Sequence, residues 1–273
     1  MDTSVQQWFD HPAVQSGVIP FVVALLVAEL LRRIRLSGLA IVAGYAATVY
    51  IISDFSFSPL TANRKIILLG MVSTLIARPL INLKGMRLML AMAGGVAAIW
   101  TVQRILQQQE LQIMLLWGAG CAAYVGWLIY WMDTLQQSPV RAASAGMALG
   151  FGTGIATLIG ASAFLGQLGL ALGSAASAYL VIMSLTNRLL PAGRTLTLPL
   201  SLIVGLLGCV GVLASQLPWY SLPVLALIPI MTKLPVSEKH AVWLQSTLFT
   251  VATLSCAAVA VYLSWRVNGM PPL

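Results

Sequence analysis

Two ionisable side chains, Glu29 and Arg78, lie within long apolar segments of the sequence. Burying either charge alone in a membrane costs at least about 2.5 kcal/mol on insertion scales. Glu29 can pair along its own helix with Arg32 or Arg33, which follow it by one turn. Arg78 has no acidic neighbour in its segment, and the adjacent Pro79 removes a backbone donor. Arg78 is therefore the strongest candidate for a substrate-binding residue.

Glu29 is also the only carboxylate that we predict within the hydrocarbon region, which makes it the expected counter-charge for Arg78. This pair would place the first and third membrane spans side by side. The alternative is that Arg78 extends to inner-leaflet phosphates while Glu29 pairs with Arg32 or Arg33. We predict the buried pair and take both side chains as substrate-binding candidates.

Glycine is most frequent in the segment from residue 146 to residue 173. Gly150 and Gly154 are four residues apart, on nearly one helical face, and Gly169 and Gly173 repeat this spacing. Small residues at this spacing let two helix backbones approach closely, so tight packing is the simpler interpretation. The alternative is that GFGTG, residues 150–154, is unwound and lines a substrate path. Gly150, Gly152 and Gly154 are further substrate-binding candidates on that interpretation.

Catalytic and metal-binding groups are sparse in this sequence. His11 and His240 lie at predicted span ends, and the three cysteines lie in apolar runs without a C-x-x-C spacing. Acid–base or metal catalysis usually needs a cluster of His, Asp, Glu or Cys side chains. We therefore expect no catalytic residue, no metal site and no cofactor, and we expect a protein that is not an enzyme.

The composition predicts a membrane protein. Of the 273 residues, 59% are hydrophobic and 8% are charged, whereas about 25% charged residues is typical of soluble domains. The apolar runs are too long for the alternating segments of a β-barrel, so the spans are helices. The net charge of +8 comes from basic residues at the ends of apolar segments, which does not indicate nucleic-acid binding. We predict an all-α, polytopic bundle that forms a single transmembrane domain over residues 1–273.

About ten transmembrane helices fit the hydropathy pattern. They lie near residues 18–31, 38–53, 66–83, 88–103, 111–132, 143–165, 168–187, 197–215, 220–232 and 241–265. The segment 143–187 is broken only around Gln167, and the segment 220–232 is short and contains Pro223 and Pro229. Either region could be re-entrant, so eight or nine spans are also consistent with the sequence.

The orientation follows from the basic residues. Arg32, Arg33 and Arg35 follow the first span, and such clusters stay in the cytoplasm. The N-terminus, with residues 1–17 as an interfacial segment, is then extracytoplasmic in a bacterial-type inner membrane. The remaining loops support this orientation. On its inner side lie Arg32, Arg33, Arg35, Lys84, Arg87, Arg141, Arg188, Arg194, Lys233 and Lys239, and on its outer side lie Arg64, Lys65, Arg104 and Arg266.

Two functions compete on this evidence. A transporter or permease for a small solute fits the many spans and the proline-interrupted helices, and Arg78 would suit an anionic solute. A non-catalytic subunit or assembly factor of a larger membrane complex fits the abundant small residues and the shortage of carboxylates. The expected partners are membrane lipids and, through the small-residue faces, other helices or a second copy of the chain. A cavity reaching Arg78 would favour transport, and a filled interior would favour the subunit.

Overall fold

The computed structural model describes residues 11–34, 36–53, 60–77, 85–236 and 241–269, and within these ranges it has helices and no strand. A chain in lipid must satisfy its backbone N–H and C=O groups internally, and a helix does so within one segment. The helices are α1 (Ile19–Leu31), α2 (Leu39–Ile52), α3 (Ala62–Ala77), α4 (Met86–Leu106), α5 (Leu111–Asp133), α6 (Pro139–Gly160), α7 (Ala163–Thr186), α8 (Gly193–Ala214), α9 (Ser221–Ala226), α10 (Ile228–Met231) and α11 (Val242–Asn268). A π-helical turn, Val14–Val18, precedes α1, and a 3-10 turn, Arg32–Ile34, follows it.

Seven of the described helical segments are long and apolar enough to cross a membrane. They are Val14–Ile34, which includes α1 and its flanking turns, and α4, α5, α6, α7, α8 and α11. The α2 helix and the segment Ser221–Met231 are shorter apolar helices. The chain is thus an α-helical, multi-pass membrane protein. The total of about ten spans and the extracytoplasmic N-terminus remain predictions.

The boundary between α6 and α7 differs from the predicted one. The sequence suggested a break around Gln167, but Gln167 lies inside α7, and the chain turns at Ala161 and Ser162. The Ser162 hydroxyl accepts a hydrogen bond from the Leu165 N–H at 3.2 Å, which satisfies a donor at the start of α7. The capping serine therefore determines the boundary, and both segments are full-length helices rather than a re-entrant pair.

The α6, α7 and α8 helices form the centre of the bundle, and most of their surface is buried. A Cβ atom added at Gly150 would lie 2.3 Å from the Gly173 backbone nitrogen, and one added at Gly169 would lie 2.5 Å from the Gly154 Cα. The α6 and α7 backbones are therefore in direct contact along their glycine faces. This confirms the prediction that these faces are buried against other helices.

The remaining helices surround this centre. The α1 and α2 helices pack on α7, α3 packs on α8, and α4 and α5 form a pair that packs on α8. The α11 helix packs on α6 and on the short helices α9 and α10. Many side chains on the outer faces of α1, α4, α5 and α11 are exposed and apolar, as expected for helices that face lipid.

The helix ends form two groups. One group, which we call the basic end, carries Arg32, Arg33, Arg87, Arg141, Arg188, Arg194 and Lys233. Three contacts join the loops of this end. Gly38 lies against Ala192, the Gly193 N–H donates to the Gln136 carbonyl at 3.1 Å, and Arg141 Nη1 donates to the Thr232 carbonyl at 2.9 Å. The Arg32–Arg33 turn and Lys233 thus lie at the same end of the bundle, as predicted, whereas Arg35 and Lys239 fall outside the described residues.

The opposite end is formed by the other helix termini. The Gln216 N–H donates to the Gly160 carbonyl at 2.9 Å, and Asn268 Nδ2 donates to the Gln216 carbonyl at 3.2 Å. The Ser221 and Ser264 hydroxyls are 3.2 Å apart at this end, whereas Thr232 is at the basic end. Residues 221–232 therefore run from one end of the bundle to the other and do not turn back.

Candidate functional site

The segment from Ser221 to Met231 is the most irregular crossing of the described bundle. The α9 helix ends at Ala226, Leu227 separates it from α10, and α10 is a single turn. Pro229 lies in the first turn of α10, where it supplies no N–H to the preceding turn. Leu227 keeps right-handed helical backbone angles, so a single turn residue joins the two short helices, and Pro229 leaves a carbonyl of the preceding turn without its usual helical donor.

Side chains from three neighbouring helices supply donors to this segment. Trp127 Nε1 of α5 donates to the Ala226 carbonyl at 3.0 Å. The Cys256 thiol of α11 lies 3.2 Å from the Val224 carbonyl, and Arg141 of α6 donates to the Thr232 carbonyl. The discontinuous helix is therefore held by specific side chains, so its irregular backbone is compatible with a membrane interior.

A groove of about 420 Å³ lies beside the discontinuous helix, between α5, α8 and α9. Its lining is almost entirely apolar and includes four aromatic side chains, Trp117, Tyr124, Trp127 and Trp219. These rings come from two regions nearly a hundred residues apart, and the fold brings them together around Pro223. Indole and phenol rings can stack on a flat or apolar group while their polar atoms bind a partner. The groove can therefore accept an apolar moiety.

A cluster of polar side chains lies behind this groove. The Cys209 thiol donates to the Cys121 carbonyl, with 3.8 Å between Cys209 Sγ and the carbonyl oxygen. The Tyr124 hydroxyl is buried and has no hydrogen-bond partner among the described residues. All three cysteines of the chain are buried and free.

An ion network at the basic end was not predicted from the sequence. Asp133, at the end of α5, is 3% exposed, and its two carboxylate oxygens contact different arginines. Arg194 Nε lies 2.8 Å from Oδ1, and Arg87 Nε lies 3.3 Å from Oδ2. The Arg194 side chain is 8% exposed, so this part of the network is buried. It links the first turns of α4 and α8 to the last turn of α5.

The signal for this network was present in the sequence. Asp133 follows a span, whereas Arg87 and Arg194 precede spans, and the alternating topology places all three at the inner ends. Asp133 lies one residue beyond the predicted span 111–132. The burial of Asp133 depends on how α5 packs against α8, and the hydropathy of the sequence gives no information about this packing.

Glu29 pairs within its own helix. Its Oε1 lies 3.0 Å from Arg32 Nη2, and its side chain is 51% exposed. The α1 and α3 helices do not form a packed pair in the described structure, because α1 packs on α2 and α7 whereas α3 packs on α8. The expectation that the first and third spans are neighbours is therefore wrong. Arg78 lies outside the described residues, so its role remains a prediction.

The glycine-rich segment 150–154 is not unwound. It is part of the continuous helix α6. Gly150 and Gly154 keep the helical conformation and pack against α7. The alternative interpretation, that this segment is unwound, is therefore wrong, and the simpler interpretation of tight packing is confirmed. Gly152 lies on another face, where an added Cβ would be 2.8 Å from Leu225 Cδ2 and 2.9 Å from Ala257 Cβ. Gly152 therefore allows the discontinuous helix and α11 to lie close to α6.

Metal-ligating groups do not cluster in the part of the chain that the structure describes. No group of three or more His, Cys, Asp or Glu side chains there could hold a metal ion. His11 Nδ1 accepts a hydrogen bond from the Ala13 N–H at 3.2 Å, and His240 lies outside the described ranges.

The comparisons with known proteins add no assignment to this geometry. No protein-family model matches the chain, and no curated protein is significantly similar to it.

Proposed function

We propose that this multi-pass membrane protein is a transporter for a small solute, with the discontinuous helix Ser221–Met231 as part of its substrate path. The observation that supports this is the break at Leu227 beside the aromatic groove. Transporters often build their sites from discontinuous helices at membrane depth, because the break frees backbone groups for a ligand. Here the Trp127 indole donates to the Ala226 carbonyl at 3.0 Å, and both residues line the aromatic groove.

An anionic solute is the class that we favour. The basic end carries more cations than carboxylates among the described residues, and Arg78 is expected to add another. A positive field at the inner end of a path raises the local concentration of anions there. In this proposal Arg78 binds the anionic group, Glu29 stays in its pair with Arg32, and Gly152 positions the discontinuous helix. The protein is then a non-enzymatic carrier of a bacterial-type inner membrane.

Transport can be tested with purified protein in proteoliposomes. Uptake of labelled succinate, alanine and choline would compare anionic, neutral and cationic solutes, with protein-free liposomes as the control. We expect uptake of the anion above the control and a smaller uptake with Trp127→Ala, because this change removes the donor that holds the break. Uptake equal to the control for all three solutes would contradict the proposal.

A second function, that of a non-catalytic subunit of a membrane complex, is favoured by the filled centre of the bundle. The α6 and α7 backbones are in contact, and α8 is almost completely buried, so no wide path runs between these three helices. Purification from native membranes at low detergent would test this function. A protein that co-migrates in stoichiometric amount would support the subunit, and a chain that migrates alone would support the carrier.

A further inference from the structure

A second cavity, of about 250 Å³, lies at the basic end between the start of α6, the end of α7 and the start of α11. It is separate from the aromatic groove, and about half of its exposed lining is polar. Its polar side chains are Gln137, Ser138, Arg141 and Gln245, and Leu189 and Val242 contribute apolar surface. The cavity therefore combines a cation, two amides and a hydroxyl at the level where helices leave the bilayer.

Arg141 is the only charged side chain that lines this cavity among the described residues. Its Nη1 donates to the Thr232 carbonyl at 2.9 Å, and its guanidinium carbon lies 4.8 Å from the centre of the Phe249 ring. A guanidinium has five N–H donors, and this hydrogen bond uses one of them. Within the described ranges, no carboxylate lies within 4.0 Å of Arg141. Among the residues that the structure describes, the positive charge of Arg141 thus has a fixed position and no paired carboxylate.

The surroundings of Arg141 also favour an anion. The α6 helix begins at Pro139, and the Ser138 side chain makes no capping hydrogen bond to it. The first backbone N–H groups of a helix carry partial positive charge, which adds to that of the guanidinium. Leu189 at the cavity wall is 61% exposed, so the cavity opens beside an exposed apolar side chain. The anionic headgroup of a lipid could enter the cavity beside Leu189.

We propose that this cavity binds a phosphate group, and that its source is the headgroup of an anionic phospholipid. Guanidinium and phosphate match in geometry, since two N–H donors can reach two phosphate oxygens. Basic pockets between helices on the cytoplasmic side are suited to such headgroups. Ser138 and Gln137 can bind the glycerol hydroxyls of phosphatidylglycerol. The acyl chains would then extend along the outer faces of α7 and α11.

The proposal can be tested by lipid binding to purified, delipidated protein in detergent. Phosphatidylglycerol, phosphatidylcholine and inorganic phosphate are added separately, and the thermal midpoint and the bound lipid in native mass spectra are recorded. We expect phosphatidylglycerol to be retained and to raise the midpoint, and phosphatidylcholine to do neither. In Arg141→Gln the retained phosphatidylglycerol should fall by about tenfold, as expected when a charge-assisted phosphate contact is lost.

Two matched variants separate the cavity from the general charge of the protein. Arg188→Gln removes an exposed cation at the same end, and Arg104→Gln removes one at the opposite end. Both should retain phosphatidylglycerol as the unchanged protein does. Arg141→Lys keeps the charge but loses the planar guanidinium, so we expect a smaller loss of retention, and this variant replaces Arg141→Gln if the latter does not fold.

The outcomes distinguish the source of the phosphate. If inorganic phosphate raises the midpoint as phosphatidylglycerol does and both effects need Arg141, the cavity binds phosphate but takes it from solution. If phosphatidylglycerol is retained equally by the unchanged protein and by both Arg141 variants, the proposal is overturned. It is also overturned if neither phosphatidylglycerol nor inorganic phosphate binds.

Discussion

At the scale of single residues, the structure distinguishes two ion pairs that look similar in sequence. Asp133 is shielded from water and contacts two arginines, whereas the Glu29–Arg32 pair is about half exposed. An exposed pair gains little because water and salt screen it. A buried charge that loses its partner has no such compensation. The contribution of each pair to stability therefore follows from burial and not from the number of charges.

We expect Asp133→Asn to lower the free energy of unfolding by about 3 kcal/mol, because it removes the buried carboxylate that contacts the Arg194 and Arg87 side chains. The measurement is the thermal midpoint and the denaturation curve of the purified protein. Asp133→Asn combined with Arg194→Gln should recover part of the loss, since the buried positive charge is then removed as well. Glu29→Gln is the control, with an expected change of about 1 kcal/mol or less. Equal effects of Asp133→Asn and Glu29→Gln would contradict this account.

At the scale of helices, glycine spacing and proline placement have different consequences. The glycines of α6 and α7 allow two regular helices to touch, whereas Pro229 contributes to the break between α9 and α10. The glycines bring the α6 and α7 backbones into contact. The break beside Pro229 creates a segment whose backbone accepts hydrogen bonds from neighbouring side chains. Substitutions in the two places should therefore have different effects.

Gly150→Ala should destabilise the protein by about 1–3 kcal/mol, as overpacking of a close contact does. The added methyl group would lie 2.3 Å from the Gly173 backbone nitrogen, so α6 and α7 must separate. Gly120→Ala in α5 is the matched control, because no atom lies within 4 Å of a Cβ placed there. Helix propensity favours alanine over glycine at both positions. A stability loss that occurs only in Gly150→Ala would therefore come from the close contact with α7. Thermal midpoints of the two variants provide the comparison.

Trp127→Phe should loosen the discontinuous helix while leaving the bundle folded. The phenyl ring preserves most of the apolar contact but cannot donate to the Ala226 carbonyl, a loss of about 1 kcal/mol. Amide hydrogen exchange should become faster in residues 221–231 and stay unchanged in α6 and α7. Trp219→Phe serves as the control, because its exposed ring lines the same groove. Equal protection of residues 221–231 in both variants would argue against the role of Trp127.

At the scale of the whole molecule, charge and topology agree. Contacts among the described residues bring together the helix ends that carry Arg87, Arg141, Arg194 and Lys233. The helices that connect these ends alternate in direction. Positive residues near span ends are retained in the cytoplasm. The basic end should therefore be the cytoplasmic end.

Cysteine labelling in cells tests this orientation. Gln136→Cys lies in the loop after α5 at the basic end, and Gln108→Cys lies in the loop before α5 at the opposite end. A membrane-impermeant maleimide added to intact cells should label the cysteine at 108 and reach the one at 136 only after permeabilisation. The three natural cysteines are buried, so background labelling should be low. The reverse pattern would invert the orientation, and labelling of both positions in intact cells would contradict the alternating topology.

The sequence by itself determined that the chain is an α-helical, multi-pass membrane protein. Long apolar runs with charges at their ends have one stable form in lipid, because every backbone polar group must bond within its own segment. The glycine spacing likewise predicted that the glycine faces of α6 and α7 are buried against other helices, since residues four apart share one helical face. The burial of Cys121, Cys209 and Cys256 followed from their apolar neighbours. These properties are local, so they are readable from the order of residues.

The tertiary structure alone decided which helices touch and therefore where polar groups meet. Asp133 could be paired with Arg87 and Arg194 only after α5 was packed between α4 and α8, and the same packing collects Trp117, Trp127 and Trp219 in one groove. It also separated α1 from α3 and left Glu29 with Arg32. In lipid, hydropathy does not distinguish one apolar helix face from another as a packing partner. Shape complementarity between small and large side chains determines which faces pack together. That complementarity is a property of pairs of helices, which no single segment of the sequence contains.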